Sequence, residues 1–251
     1  LKARKRFGQH FLHDPGVLQR IVAAIAPVRG DAVVEIGPGE GALTRLLLER
    51  VDQMAAIEID RDLASRLAEE FPKGKLELVC GDALDYDFSA LPEGIRIVGN
   101  LPYNISTPLL FHLARFADRA HDMHFLLQRE VVERMVAKPS TPDYGRLSIM
   151  LQVRFAMQKL FTVAPGAFRP APKVDSAVVR LVPLPGVSLP DNLAEIVRRA
   201  FGARRKTLRN ALPLSPEDFA ELGLDPKLRP ENLSPSDYVR IARRVELQGS
   251  I

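Results

Sequence analysis

Between residues 32 and 127 the chain switches repeatedly between short β-branched runs and longer stretches of helical spacing. No other feature of the sequence narrows the fold as much. Residues 32–36 (AVVEI) lead into GPGEG and then ALTRLLLERV; residues 55–59 (AAIEI) lead into RDLASRLAEEF. Further strand candidates are 76–79, 95–98 and 124–127. Strands separated by helices are βαβ units, and these stack into a parallel sheet with helices on its faces. Two more candidates, 152–163 and 176–182, flank the proline-broken loop PGAFRPAPKVD and predict an antiparallel hairpin at the end of the sheet. After Val182 the pattern is helical only: NLAEIVRRAF, RRKTLRNAL, and two starts of the form Ser-Pro-x-Asp at Ser215 and Ser234, each a capping sequence. The expected architecture is an α/β domain over residues 1–186, with a mostly parallel seven-stranded sheet, and a small all-α domain over 187–251.

Composition excludes several classes. Of the 251 residues, 46% are hydrophobic and 26% charged, as in ordinary globular chains, so neither disorder nor a collagen-like repeat fits. The longest apolar run, 21–26, is far short of the ~18 residues that span a bilayer. One cysteine, Cys80, rules out a disulfide scaffold and a cysteine-based zinc site, no metal is expected, and a reducing, cytoplasmic setting is. The basic start LKARKRF runs straight into patterned sequence, so neither a transit peptide nor a secretory segment is expected. Net charge is +4, compatible with a polyanionic partner.

The first strand candidate ends in Gly37-Pro38-Gly39-Glu40-Gly41 and opens a helix. Glycines there let backbone approach a ligand closely. The spacing is not the Gly-x-Gly-x-x-Gly that places a pyrophosphate on a helix N-terminus, so a phosphate-free adenosine ligand suits it better. Glu58 ends the second strand about 20 residues later, where a carboxylate can accept both ribose hydroxyls. Asp82, after the third strand, is placed to accept from an adenine amine. Three such features after three successive strands point to S-adenosylmethionine (SAM) in a class I, Rossmann-like methyltransferase fold.

The fourth strand candidate runs into Asn100-Leu101-Pro102-Tyr103. The exocyclic amine of adenine is a poor nucleophile because its lone pair is delocalised into the ring. An amide oxygen from Asn100 and a carbonyl of Leu101 or Pro102, both accepting from that amine, would draw the nitrogen toward tetrahedral geometry. Tyr103 offers a ring for the base. Positioning and preorganised polarity then carry the reaction without a general base.

NLPYNISTP closely resembles a motif of the rRNA adenine N6-dimethyltransferases. Arg6-Phe7-Gly8-Gln9-His10-Phe11-Leu12 resembles that family's N-terminal RFGQNFL motif, with His10 in place of the usual Asn. EIGPG, IEID and GDAL resemble its cofactor motifs, and FRPAPKVDS, residues 168–176, its FxPxPKVDS loop. The resemblance spans nearly the whole chain and is nearest to the branch that modifies small-subunit (16S) rRNA. It implies dimethylation of two adjacent adenosines in a hairpin loop near the 3′ end, within a small ribosomal subunit or its precursor, by a protein acting as a monomer away from membranes. It also implies that His10, Leu12, Gly37, Gly39, Glu58, Asp82 and Asn100 line the cofactor site, and that Phe168 stacks on the target adenine opposite Tyr103.

Arg198, Arg199, Arg204, Arg205, Lys206 and Arg209 lie within twelve residues that contain no acid. Such clustering is expected of a phosphate-contacting patch, with Arg204, Arg205, Lys206 and Arg209 as its centre. Lys2, Arg4, Lys5 and Arg6 form a second cluster. Three competing readings are a large-subunit rRNA methylase of the macrolide-resistance type, a DNA adenine methylase, and a non-catalytic ribosome-assembly or transcription factor. The first tends to carry Asn-Ile-Pro-Tyr and the second Asn-Pro-Pro-Tyr, where this chain has Leu101. The third would be favoured by loss of Asn100 or the glycines, which are present.

Overall fold

The computed structural model describes residues 9–202 and 205–248. The strands are β1 (Phe11–Leu12), β2 (Val33–Ile36), β3 (Met54–Glu58), β4 (Leu76–Cys80), β5 (Ile95–Asn100), β6 (Ala120–Gln128), β7 (Phe155–Val163), β8 (Phe168–Arg169) and β9 (Ser176–Pro183). The α-helices are α1 (Pro15–Ile25), α2 (Ala42–Leu48), α3 (Arg61–Glu70), α4 (Ser106–Ala114), α5 (Arg129–Val136), α6 (Arg146–Gln152), α7 (Leu193–Gly202), α8 (Leu208–Ala211), α9 (Pro216–Leu222) and α10 (Pro235–Gln248).

Seven strands form one sheet in the order β4-β3-β2-β5-β6-β9-β7. From β4 to β6 every pairing is parallel, and β9 runs antiparallel to β6. The expected sheet is therefore present. Parallel strands are covered on both faces, which is why all four residues of β2 are buried. The chain leaves β2 toward β3 on one side and returns to β5 on the other. The crevice at the carboxyl ends of β2 and β5 is thus the topological switch point, where open α/β sheets bind ligands.

Helix α1 packs on this sheet. The Asp14 side chain caps its start by accepting from Val17 N (2.9 Å), and Pro15 opens the first turn. Leu18, Ile21, Val22 and Ile25 form its buried stripe and join Val33, Leu47, Val98, Leu126 and Val178 in one core. At its far end, buried Arg96 on β5 donates to the orphan carbonyls of Ile25 and Ala26. The same guanidinium binds Asp122 through two N–H groups (2.9 and 2.8 Å) and Asp31 (3.0 Å), so its buried charge is fully compensated.

The chain divides into two compact units. One is the chain up to Val132 with Ala156–Pro183; the other is Glu133–Phe155 with the chain from Leu184 onward. The expected boundary at 186/187 falls close to the break after Pro183, but residues 133–155 join the helical unit, which sequence reading had placed in the first domain. Within them residues 146–152 are helix α6, so the strand expected from 152 begins at Phe155. Ile149 and Val153, one helical turn apart, pack with Ile196, Val197, Tyr238 and Ile241, and this shared apolar face selects helix over strand. Buried Tyr144 and Tyr238 give their hydroxyls to the carbonyls of Leu233 and Pro230. The two Ser-Pro-x-Asp starts behave as expected. Ser215 and Asp218 bond reciprocally, as do Ser234 and Asp237. Among the described residues no helix is long and apolar enough to cross a membrane.

Candidate active site

The loop after β2 is built on backbone only glycine tolerates. Gly37, Gly39 and Gly41 all have positive φ (69°, 59° and 78°), and a Cβ on Gly39 would sit 3.0 Å from the Phe11 ring. Where β5 passes β2 the approach is closer still: a Cβ on Gly99 would lie 2.5 Å from the Ile36 carbonyl oxygen.

Glu58 closes one side of the loop. Its carboxylate accepts from Gly39 N (3.0 Å) and from Asp60 N (2.9 Å), one bond to each oxygen. Both oxygens are thereby oriented, and each keeps a lone pair for a ligand. Burial pushes Glu58 above the usual carboxylate pKa, and the backbone bonds from Asp60 and Gly39 pull it down in part. Asp82 uses Oδ1 to accept from Leu84 N (2.9 Å), a turn contact that leaves Oδ2 without a protein partner among the described residues.

These groups line a cleft of about 700 Å³, partly open to solvent, together with His10, Phe11, Ile57, Ala83 and the Asn100–Tyr103 segment. Among the described residues no lysine or arginine lines it, so a pyrophosphate would find no cation among them. A cationic adenosine ligand finds two carboxylates, glycine backbone and apolar walls, so the residues present fit SAM.

Asn100 ends β5 inside this cleft. Its Nδ2 donates to the His10 carbonyl (2.8 Å). A carbonyl only accepts, so the amide orientation is fixed and Oδ1 is left as an acceptor without a protein partner among the described residues. The Pro102 carbonyl already accepts from Ile105 N (3.2 Å), whereas no described donor takes that of Leu101. Of the two carbonyls considered, that of Leu101 is the one with no hydrogen-bond partner among the described residues. The Tyr103 hydroxyl is bonded to Ser176 Oγ, and its carbonyl accepts from Ser106 Oγ (3.1 Å), so the ring is held from both ends.

A second, smaller cavity lies against the same glycine loop and shares Phe11, Gly37, Gly39 and Asn100 with the first. Leu12, Glu35 and His124 also line it. Glu35 is buried on β2 and accepts from Thr44 Oγ1 (2.6 Å); burial raises its pKa to about 7. Burial likewise lowers His124 to about 4.

The structure thus brings together His10, Gly37, Gly39, Glu58, Asp82, Asn100, Leu101, Pro102 and Tyr103. Leu12 lines only the second cavity. Phe168 is 2% exposed, packs in the core of the same unit and lines neither cavity, so stacking on a base would need its ring to turn outward. β1 pairs antiparallel with β8, setting Leu12 opposite Phe168 and Phe11 opposite Arg169. Paired residues share a face, so Phe168 turns inward with Leu12 while Phe11 turns to the ligand cleft. Sequence reading passed over Phe11 and Glu35. An acid inside the apolar run VVEI was the available signal for Glu35; Phe11 gave none.

In the helical unit Arg205, Lys206 and Arg209 are exposed, without an ion-pair partner among the described residues; Arg204 and the 2–6 cluster lie outside those residues. Arg198, expected in the same patch, is instead engaged with Glu195 through two bonds (2.7 and 2.6 Å).

Comparison with known proteins agrees with this geometry. The family model described as ribosomal RNA adenine dimethylase matches residues 1–246. The chain is 57% identical over 250 residues to ribosomal RNA small subunit methyltransferase A of Aromatoleum aromaticum, covering 97% of this chain and 94% of that one. It is 59% identical over 244 residues to the protein of the same name from Thiobacillus denitrificans, covering 95% and 96%. Among solved structures, a dimethyladenosine transferase from Plasmodium falciparum superposes with a TM-score of 0.83 at 28% identity, over 96% of this chain and 98% of that one. The 23S rRNA methyltransferase ErmE follows at 0.73 and 27%, over 94% and 99%. With the glycine loop, the paired carboxylates and the oriented Asn100 in one cleft, and a family model matched over residues 1–246, this protein belongs to the ribosomal RNA adenine dimethylase family.

Proposed function

We propose that the chain dimethylates N6 of two adjacent adenosines in a hairpin loop near the 3′ end of small-subunit (16S) rRNA, as a cytoplasmic monomer acting in small-subunit biogenesis. The observation that carries this reading is the orientation of Asn100: with Nδ2 spent on the His10 carbonyl, Oδ1 is the acceptor presented to a base. The names of the relatives support the choice of small-subunit rRNA.

When bound, SAM supplies an electrophilic methyl group on a positively charged sulfur. Glu58 and Asp82 accept from its adenosine, and no described lysine or arginine lines the cleft to repel the charge. Asn100 Oδ1 and the Leu101 carbonyl accept from the two hydrogens of the target amine. Their pull localises the nitrogen lone pair and aims it. Tyr103, immobilised by Ser176, holds the base against rotation. The nitrogen becomes cationic on methylation, and its acidified proton passes to water. Arg204, Arg205, Lys206 and Arg209 would bind rRNA phosphates from the helical unit.

The test is methyl transfer from labelled SAM to undermethylated small subunits, large subunits and naked rRNA, followed by mapping of the modified base. Small subunits alone are expected to accept label, at two neighbouring adenosines. Asn100→Ala should lower the rate on the order of 10²–10³-fold while the protein still binds SAM. Preferential labelling of large subunits, or a variant within about threefold of wild type, overturns the reading.

A further inference from the structure

The Tyr103 ring is held from outside the cleft. Its hydroxyl is bonded to Ser176 Oγ, and Ser176 is the fully buried first residue of β9. Strand β9 runs antiparallel to β6, and Ser176 opposite Gln128 is the end pair of that ladder. A strand end frays unless something beyond the last pair holds it. The neighbouring residues hold this one twice. Arg129 N donates to the Asp175 carbonyl (2.9 Å), and the Arg129 guanidinium donates through Nη1 to Asp175 Oδ2 (2.8 Å). Arg129 is also the first residue of α5, so the clasp joins a helix start to the strand that carries Ser176. Arg129, Asp175 and Ser176 all lie outside the lining of the cofactor cleft.

We propose that Arg129 and Asp175 are positioning residues for the methyl transfer: their clasp fixes Ser176, and Ser176 fixes the plane of the Tyr103 ring against which the target base rests. This rests on the methylation of adenine proposed above. As a contribution to stability the ion pair is small, because its side chains are 49% and 35% exposed. Its leverage comes from its place. The near end of Tyr103 is tied where its carbonyl accepts from Ser106 Oγ (3.1 Å), and the far end at the hydroxyl. A phenol O–H lies in the plane of its ring, because the oxygen is conjugated with it. A partner at the hydroxyl therefore sets the tilt of the ring as well as its position. The hydroxyl is spent on Ser176, so the ring offers the base a face alone. If the strand end frays, Ser176 moves, the ring tilts with it, and the amine loses its alignment with Asn100 Oδ1. Misplacement of that kind lowers the rate of the chemical step without touching the cofactor.

The test is a set of double-mutant cycles through Tyr103, read as kcat and KM on whichever rRNA substrate the wild type methylates. Ser176→Ala should lower kcat about 5- to 100-fold, the cost of stranding one partner of a buried hydrogen bond. Arg129→Ala and Asp175→Ala should each lower it about 2- to 5-fold, their double variant should lose no more than either alone, and Arg129→Lys should recover most of the loss. SAM affinity of these variants, by calorimetry, should stay within about twofold of wild type. Tyr103→Phe should itself lose about as much as Ser176→Ala, and in that background none of the three alanine variants should lower kcat further. A readout independent of substrate comes from 3-fluorotyrosine. Of the four tyrosines, the fluorine resonance that Tyr103→Phe removes should shift in Ser176→Ala and in Arg129→Ala, and return in Arg129→Lys. Loss that persists in the Tyr103→Phe background, an unmoved resonance, or weakened SAM binding overturns the proposal. So does loss in Arg129→Ala without loss in Asp175→Ala, which, with a raised KM and a smaller salt slope, would make Arg129 a phosphate contact instead. Transfer to large rather than small subunits would strike the substrate reading and leave both the cycles and the fluorine comparison intact.

Discussion

Glu35→Gln should make the sheet unit less sensitive to pH. Glu35 is 2% exposed, and burial raises its carboxyl from 4.5 to about 7. Between these values the folded chain holds a proton that the unfolded chain has released. Raising the pH therefore draws the equilibrium toward unfolding, and the loss levels off above pH 7. At about 1.36 kcal/mol per unit the whole displacement is worth roughly 3 kcal/mol, of which about 2.5 kcal/mol falls between pH 5 and pH 8. Glutamine keeps an oxygen to accept from Thr44 Oγ1 and carries no charge at any pH. The assay is urea unfolding at pH 5, 6, 7 and 8, followed by hydrogen exchange in the peptide carrying β2, so that this unit is read alone. Wild type should lose about 2.5 kcal/mol relative to the variant as pH rises from 5 to 8. Parallel profiles would refute the reasoning, because they would mean that the carboxylate is accommodated without cost in its cavity.

Three further outcomes are expected. Glu58→Ala and Asp82→Ala should each weaken SAM binding about 10- to 100-fold by calorimetry, the value of a charge-assisted bond, with no change in affinity for ribosomal subunits. Gly99→Ala should destabilise the sheet unit by about 1–3 kcal/mol in the same exchange assay, because its Cβ would meet the Ile36 carbonyl at 2.5 Å. Reversing Arg204, Arg205, Lys206 and Arg209 to Glu should abolish subunit binding and flatten its salt dependence while SAM affinity, measured by calorimetry, stays within about twofold of wild type.

The parallel strands were readable because each is a short β-branched run between glycine- or acid-rich turns, and strands buried on both faces need no alternation to reveal them. Asn100 was readable for a related reason: it directly follows such a run. The β1–β8 pair was not. Two residues carry no periodicity, and their partners lie far away along the chain, so nothing near Phe168 said which way its ring would turn. Residues 133–155 were misassigned because the apolar residues of α6 fit either period until the face they pack on is known. The departure from the family motif at His10 was visible in sequence, but its contacts with the Tyr103 ring and the Pro170 carbonyl exist only in the folded chain.

His10 is tied at two points, its Nδ1 2.7 Å from the Pro170 carbonyl oxygen and its own carbonyl accepting from Asn100 Nδ2 (2.8 Å), and this has a consequence for the order of events during synthesis. Its link to Pro170 closes a loop of 160 residues, whereas its link to Asn100 spans 90. In an open chain the longer closure costs roughly 4–5 kcal/mol of entropy before any contact repays it. Once β2 to β6 are in place, their carboxyl ends already stand together and most of that cost has been met. Strands β2 to β6 are therefore expected to pair first and the amino-terminal strap to close later, once residue 170 has left the ribosome. A nascent chain that has reached β6 holds the glycine loop and Asn100 but has nothing to pair with Phe11 and Leu12. Cofactor affinity is thus expected to belong to the finished chain: the ligand should bind most tightly once the amino-terminal strap and the loop after β8 have met, and it stabilises that meeting with the logarithm of its own concentration.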